Sequence, residues 1–416
     1  MNQIKQLKIT LLAVSICLLL IPLKGTEIYV LNSVSRTLSR IDTETGIVNN
    51  TFAQLGLTPN LMDMDDNNIY VVCSGDNAIQ VISRSTGTHL NFLPVAASSN
   101  PYDVLKVGDY LYVTGLFTNK LYKISLLTNN VVSSLTVGEA PEGICTDGSR
   151  LYVCNTGGYQ YNYAYSSISV IDLDSFSVIE TIPVWTNPQF ACIFGNYLHI
   201  ACTGNWNNIS GKIDIINLED FSLTQRLDLG GHPGNIWINS LGIAYVGEGM
   251  SNALYSYNAH TFEIYHSYQN PMNYNAFMVA GNQDILALLN QDWTSNSTIT
   301  VYDYDFNLLS TYMVGISSTD LMVSPSVSSL EDECNIVSRL KIYPNPYASG
   351  KEIHFSDKIT SSSQLYLYNI RGQLVYKTQL KETSPIILPQ TLSPGIYLYR
   401  IIQETKNDYG KLLIEN

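Results

Sequence analysis

One spacing recurs through residues 28–324 and constrains the fold more than any other feature of the chain. In five copies a proline stands ten residues ahead of an apolar, usually Tyr-containing run. Pro59 leads to Ile69-Tyr70-Val71-Val72, Pro101 to Leu111-Tyr112-Val113, Pro141 to Leu151-Tyr152-Val153, Pro188 to Leu198-His199-Ile200 and Pro233 to Ile243-Ala244-Tyr245-Val246. A sixth copy has Asn275 in the proline's place, ahead of Ile285-Leu286-Ala287, and the steps between copies are 42, 40, 47, 45 and 42 residues. Within each copy, short alternating runs are separated by turn residues. The unit around Pro141 reads as an inner strand over Glu142–Asp147, a second over Arg150–Asn155, a third over Ser167–Asp172 and an outer one over Phe176–Pro183.

A period of 40–50 residues with four strands per unit is the mark of a β-propeller, in which each unit is one blade. Seven copies are expected. The first begins at Ile28-Tyr29-Val30 without an inner strand, and Thr319-Asp320-Leu321-Met322-Val323 resembles Pro59-Asn60-Leu61-Met62-Asp63, so the end of the repeat region is expected to supply the missing strand and close the ring. The expected architecture is all-β. A signal peptide (1–25) precedes a seven-bladed β-propeller (26–324), a Ser/Pro-containing acidic linker (325–338) and a small Ig-like β-sandwich (339–416).

Lys5 and Lys8 ahead of the apolar stretch Ile9–Ile21 read as a secretory leader, too short for a membrane span. No transmembrane segment is expected in the mature chain. From Thr26 to Leu330 there are 9 Lys+Arg and 26 Asp+Glu, a balance of −17, whereas Glu331 to Asn416 balances at +1. The break marks two modules. An acidic first module repels phosphate backbones, which argues against a nucleic-acid partner and for cations or neutral, hydroxyl-rich ligands. Six cysteines follow the leader. The expected hairpin registers place Cys145 opposite Tyr152, Cys154 opposite Gly143, Cys192 opposite His199 and Cys202 opposite Gln189, so small apolar fillers are expected rather than disulfides.

The phrases Leu121-Tyr-Lys-Ile, Val137-Gly138-Glu-Ala-Pro141-Glu-Gly-Ile and Arg150-Leu-Tyr-Val-Cys-Asn resemble the YVTN family of β-propeller repeats. That resemblance covers about 300 residues and implies architecture, since the family is functionally mixed. The final eighty or so residues resemble the C-terminal sorting domain of the type IX secretion system. The matching pieces run in order: Tyr343-Pro344-Asn345-Pro346, Asn369-Ile-Arg371-Gly372, Leu392-Ser-Pro-Gly395-Ile-Tyr397, and Lys411-Leu-Leu-Ile. The second resemblance implies a Bacteroidetes-type cell, export to the outer surface and engagement of the type IX machinery.

In a propeller the loop entering each inner strand shares a face with the loop between the second and third strands. The residue after each proline position is expected near the channel mouth: Asp320, Asn60, Tyr102, Glu142, Gln189, Gly234 and Ala276. Oxygen ligands converging there suit a divalent cation or a sugar. On the same face lie Tyr159, Tyr161, Tyr163 and Tyr165, with Trp206 and Trp293 in neighbouring loops. Aromatic faces beside amides suit a glycan or a protein surface. No nucleophile elbow, P-loop or His-Glu-x-x-His pattern is present. No catalytic residue and no metal ligand set is therefore assigned, and no cofactor is expected. The expected role is a secreted or surface-displayed binding or adhesion module. The competing expectation, a metal-assisted hydrolase or lyase of the lactonase-like propeller type, would have to use Glu142, Asp320, Asn60 and His232. Paired carboxylates such as Asp172/Asp174 and Asp303/Asp305 are expected to serve turns.

Overall fold

The computed structural model describes residues 26–325 and, of the C-terminal segment, 342–343, 347–348, 350–355, 363–369, 374–380, 386–389, 391–403 and 406–415. The expected leader, nearly all of the linker, Cys334 and the motif residues Pro344, Asn345, Pro346 and Gly372 lie outside them. The chain divides into two compact units, residues 1–328 and 329–416.

The first unit is all-β. Among its described residues, short antiparallel strands build seven sheets. Sheet 1 is ordered Ser318–Val323, Glu27–Asn32, Thr37–Asp42, Val48–Gln54. Sheets 2 to 5 each take four consecutive strands, opening at Pro59–Met64, Pro101–Val107, Pro141–Thr146 and Pro188–Phe194. Sheet 6 opens at Pro233–Ile238 and sheet 7 at Met278–Gly281. The arrangement is consistent with a propeller. In sheet 4 the strands run Pro141–Thr146, Arg150–Asn155, Ser167–Asp172 and Ser177–Pro183, within a residue of the expected bounds.

Packing explains why the unit holds together. Each apolar cluster is shared between neighbouring sheets: Tyr70, Ile79 and Val113 join sheets 2 and 3, and Tyr152, Ile168 and Ile200 join sheets 4 and 5. Ile28, Val30 and Leu321 of sheet 1 pack with Ala287, Leu289 and Val301 of sheet 7, so the series returns to its start. At roughly 1.5–3 kcal/mol for each large side chain buried, these clusters supply most of the driving force. The return is covalently remote but locally ordinary. Ile28 pairs with Val323, Tyr29 with Met322 and Val30 with Leu321, all antiparallel.

Six of the seven inner strands begin with a β-bulge; Met278–Gly281 of sheet 7 pairs in unbroken register. Register shifts lie between Pro59 and Met62, Pro101 and Val104, Pro141 and Ile144, Pro188 and Phe190, and Pro233 and Ile236. The residue before the strand often has positive φ, as at Thr58, Asn100, Ala140, Asn187 and Ser317. The proline costs the ladder no bond there, since the first inner-strand position needs no N–H. A bulge adds one residue and re-aims a side chain. It also corrects the expected partner of Cys202, which is Pro188 and not Gln189.

Sheet 6 departs from the pattern. Met272–Asn275 pairs with Ala253–Asn258 as part of the outer edge, so Asn275 does not open an inner strand. The described cysteines, Cys73, Cys145, Cys154, Cys192 and Cys202, are free thiols. Asp172 and Asp303 hold turns, accepting from Ser175 N (2.8 Å) and Asn307 N (2.8 Å) respectively.

The second unit forms a three-stranded sheet and a five-stranded sheet. Ile342 and Ile353 of the former and Leu365, Leu367 and Ile401 of the latter share one core.

Candidate functional site

The bulges carry Asn60, Tyr102 and Gln189 to the wall of one cavity of about 540 Å³ at the mouth of the ring. Thr319, Phe277, Met278 and Trp293 complete that wall on one side, and Trp206, His232 and Met250 on the other. Three expected positions, Asp320, Ala276 and Glu142, are corrected, because none of them lines the cavity. Asp320 is not at the mouth, because the bulge of the closing strand falls on Thr319 and leaves Asp320 opposite Leu31. Ala276 is fully buried between sheets 6 and 7, and Phe277 takes its place because the inner strand of sheet 7 starts later than the 42-residue step implies.

Below the mouth, a smaller cavity of about 240 Å³ is lined by Asp63, Asp103 and Asp320. These carboxylates stitch sheets whose inner strands are not paired through their backbones. Asp320 accepts Met62 N (2.8 Å), Asp63 accepts Lys106 N (2.7 Å) and Asp103 accepts Ile144 N (3.1 Å). Asn235 does the same with Val279 N (2.9 Å). Burial pushes all three acids up, Asp63 to about 6, Asp320 to about 7 and Asp103 well above its usual value, against the lowering effect of those N–H donors. Among the described residues, no group of three His, Cys, Asp or Glu side chains has a metal-holding arrangement.

Glu142 sits behind the mouth and is almost fully buried. Its Oε2 has no hydrogen-bond partner, and burial pushes its carboxyl up to about 8 despite Tyr102 and Gln189 beside it. Gln189 is fixed by the Thr203 hydroxyl (3.0 Å), Thr319 donates to Asn60 O (2.9 Å), and Asn60 donates to Tyr102 O (2.9 Å). The polar rim is thus ordered around the ring before any ligand arrives.

The aromatic residues divide. Trp206 is locked by its neighbour: Asn205 Oδ1 accepts from the N–H groups of Asn207 (3.2 Å), Asn208 (3.0 Å) and Ile209 (2.8 Å). Its indole stacks on His232 with ring centroids 4.9 Å apart. Trp293 meets Phe277 edge-on at 6.0 Å. Tyr163 is half-buried, and burial pushes its hydroxyl up, with Glu142 nearby adding to the effect, but it is not among the residues that line the cavity. Tyr159, Tyr161 and Tyr165 do not line the mouth. They are exposed and pair edge-on within their own loop, Tyr161 with Tyr165 at 5.2 Å and Tyr159 with Tyr163 at 6.1 Å.

In the second unit, Gly395 has φ 150° and the Tyr397 hydroxyl donates to Ser393 O (2.7 Å). Tyr343 and Lys411 lie on strands Ile342–Tyr343 and Lys406–Glu415. Residues 341–415 match the secretion system C-terminal sorting domain. That domain marks proteins exported and displayed on the cell surface or secreted, and it implies interaction with the type IX secretion machinery. No helix among the described residues is long and apolar enough to cross a membrane. No curated protein matches the chain. Among solved structures, hydrazine synthase of Kuenenia stuttgartiensis is similar at 13% identity, with a TM-score of 0.54 over 65% of this chain and 96% of that one. The computationally designed Ika8 protein is similar at 12% identity, with a TM-score of 0.52 over 77% and 87%. At such identities the likeness is one of fold alone.

Proposed function

We propose that this chain is an exported, seven-bladed β-propeller of YVTN-like repeats that binds a glycan or protein ligand through the mouth of its central channel. The C-terminal unit, an Ig-like sandwich bounded near residue 339, serves export. The observation that carries the reading is the mouth itself. A cavity of about 540 Å³ presents Trp206, Trp293, Tyr102 and Phe277 beside the amides of Asn60 and Gln189. A mostly apolar concavity with a few fixed polar groups is the common form of a ligand site. Aromatic faces contribute area at low entropic cost while amides orient the ligand.

A glycan array probed with the mature chain tests this. Selective binding is expected, and the Trp206→Ala/Trp293→Ala double variant should weaken it at least about tenfold, or 1.4 kcal/mol, with an unchanged melting temperature. Equal binding by a folded double variant would refute the assignment.

A further inference from the structure

The mouth is not a closed cup. A second cavity, of about 770 Å³, lies at the rim between sheets 5 and 6, and His232 and Met250 line both. We propose that the two are one continuous trench, and that its occupant is a linear, neutral oligosaccharide with one end in the channel mouth and the other at the rim. This rests on the binding reading above and adds the ligand class and its path.

Three features support the path. His232, which lines both cavities, stacks flat on Trp206 of the mouth with ring centroids 4.9 Å apart, so the two linings are continuous through this pair. His232 Nδ1 donates to Thr203 O at 3.1 Å, which leaves Nε2 as the ring nitrogen open to a ligand hydroxyl. The segment that places Trp206 at the mouth continues directly into Asn207 and Asn208 of the rim cavity, both held by Asn205.

The chemistry of the rim selects the ligand. Its two carboxylates are already engaged. Asp228 pairs with Lys212 at 2.9 Å, and Glu248 accepts from His232 N, Met250 N and the Ser251 hydroxyl. The groups that remain are amides and hydroxyls, from Asn207, Asn208, Ser267 and Gln269. Tyr268 is exposed beside them, its ring set against the Gly230-Gly231 backbone, where glycines with φ of 70° and 58° leave room. An aromatic platform thus stands in each half, flanked by uncharged hydrogen-bonding groups. A row of pyranose rings offers apolar faces to such platforms and hydroxyls to such amides. The −17 balance of residues 26–330 disfavours an anionic chain.

Calorimetric titration of the mature chain with cello-, malto-, manno- and xylo-oligosaccharides of two to six units tests the proposal. For one of these series, affinity should rise at least about tenfold from disaccharide to hexasaccharide. Tyr268→Ala should weaken the hexasaccharide at least about tenfold and so flatten the dependence on length, whereas Trp293→Ala should weaken every length. Affinity that is independent of length, lost in Trp293→Ala and untouched in Tyr268→Ala, would overturn the trench while leaving the mouth as a site. Binding indifferent to both substitutions would overturn the trench and the mouth together. No binding in any series would overturn the oligosaccharide assignment.

Discussion

At the residue scale, the most consequential side chains are acids that do structural work in a low-dielectric channel. Asp103 accepts the Ile144 N–H across a sheet boundary. Asp103→Ala would strand that buried donor, at about 1–3 kcal/mol. For a unit of this size that is a fall in melting temperature of roughly 2–4 °C per kcal/mol. Asp103→Asn keeps the acceptor and should melt near or above the parent; equal losses in both variants would show that the stitch is not the reason for the residue. Glu142 makes a prediction about pH. Its folded pKa, about 8, lies above its ordinary 4.5, so its contribution is fully present below about pH 4.5 and is lost as pH rises through 8. Glu142→Gln should therefore raise the melting temperature at pH 8 by at least about 2 °C and change it little at pH 5. A parallel shift at both values would contradict this. His199 acts in the opposite direction. Burial beside Tyr257 pushes it down to about 4, so it destabilises as pH falls from 6.5 toward 4. The sequence identified Glu142 but not the roles of Asp63 and Asp103. No spacing signals an acid whose partner is a backbone N–H on the next sheet.

At the scale of elements, the bulge that opens six of the seven inner strands is what turns a strand into a site. Proline at position one was visible in the sequence, and so were the residues behind it. Which of them faces the mouth depends on where the extra residue falls, which puts Thr319 there instead of Asp320, and on where the strand starts, which puts Phe277 there instead of Ala276. The Tyr-rich loop shows the same limit. Composition draws attention to Tyr159, Tyr161 and Tyr163 alike, but the short 3₁₀ turn at Tyr159–Tyr161 leaves the first two exposed and Tyr163 half-buried, and none of the three lines the cavity. The Asn205 loop is the clearest element to test. Asn205→Ala removes the acceptor for successive N–H groups around Trp206. Ligand affinity should fall several-fold, with stability reduced by about 1 kcal/mol at most, as for loss of a cap. A folded Asn205→Ala protein with parental affinity would mean that Trp206 needs no such support.

At the scale of the first unit, the two ends of the repeat region, Glu27–Asn32 and Ser318–Val323, share one sheet and close the ring. The repeat period made the strand order legible, because every unit must bury both faces against neighbours and a chain of such units is satisfied only on closing. Thr319–Val323 was recognisable as the missing strand by its likeness to the segment after Pro59, and it pairs with Ile28–Asn32. What the period did not reveal was the irregular sixth sheet, where Met272–Asn275 strengthens an outer edge. The closing strand also builds the site, since Thr319 lines the mouth and Asp320 tethers Met62. The most direct test compares thermal unfolding of chains ending at residue 325 and at residue 316. One cooperative transition is expected for the first, and aggregation or a melting temperature lower by at least about 10 °C for the second, which exposes the edge of Glu27–Asn32. Indistinguishable melting curves would contradict this.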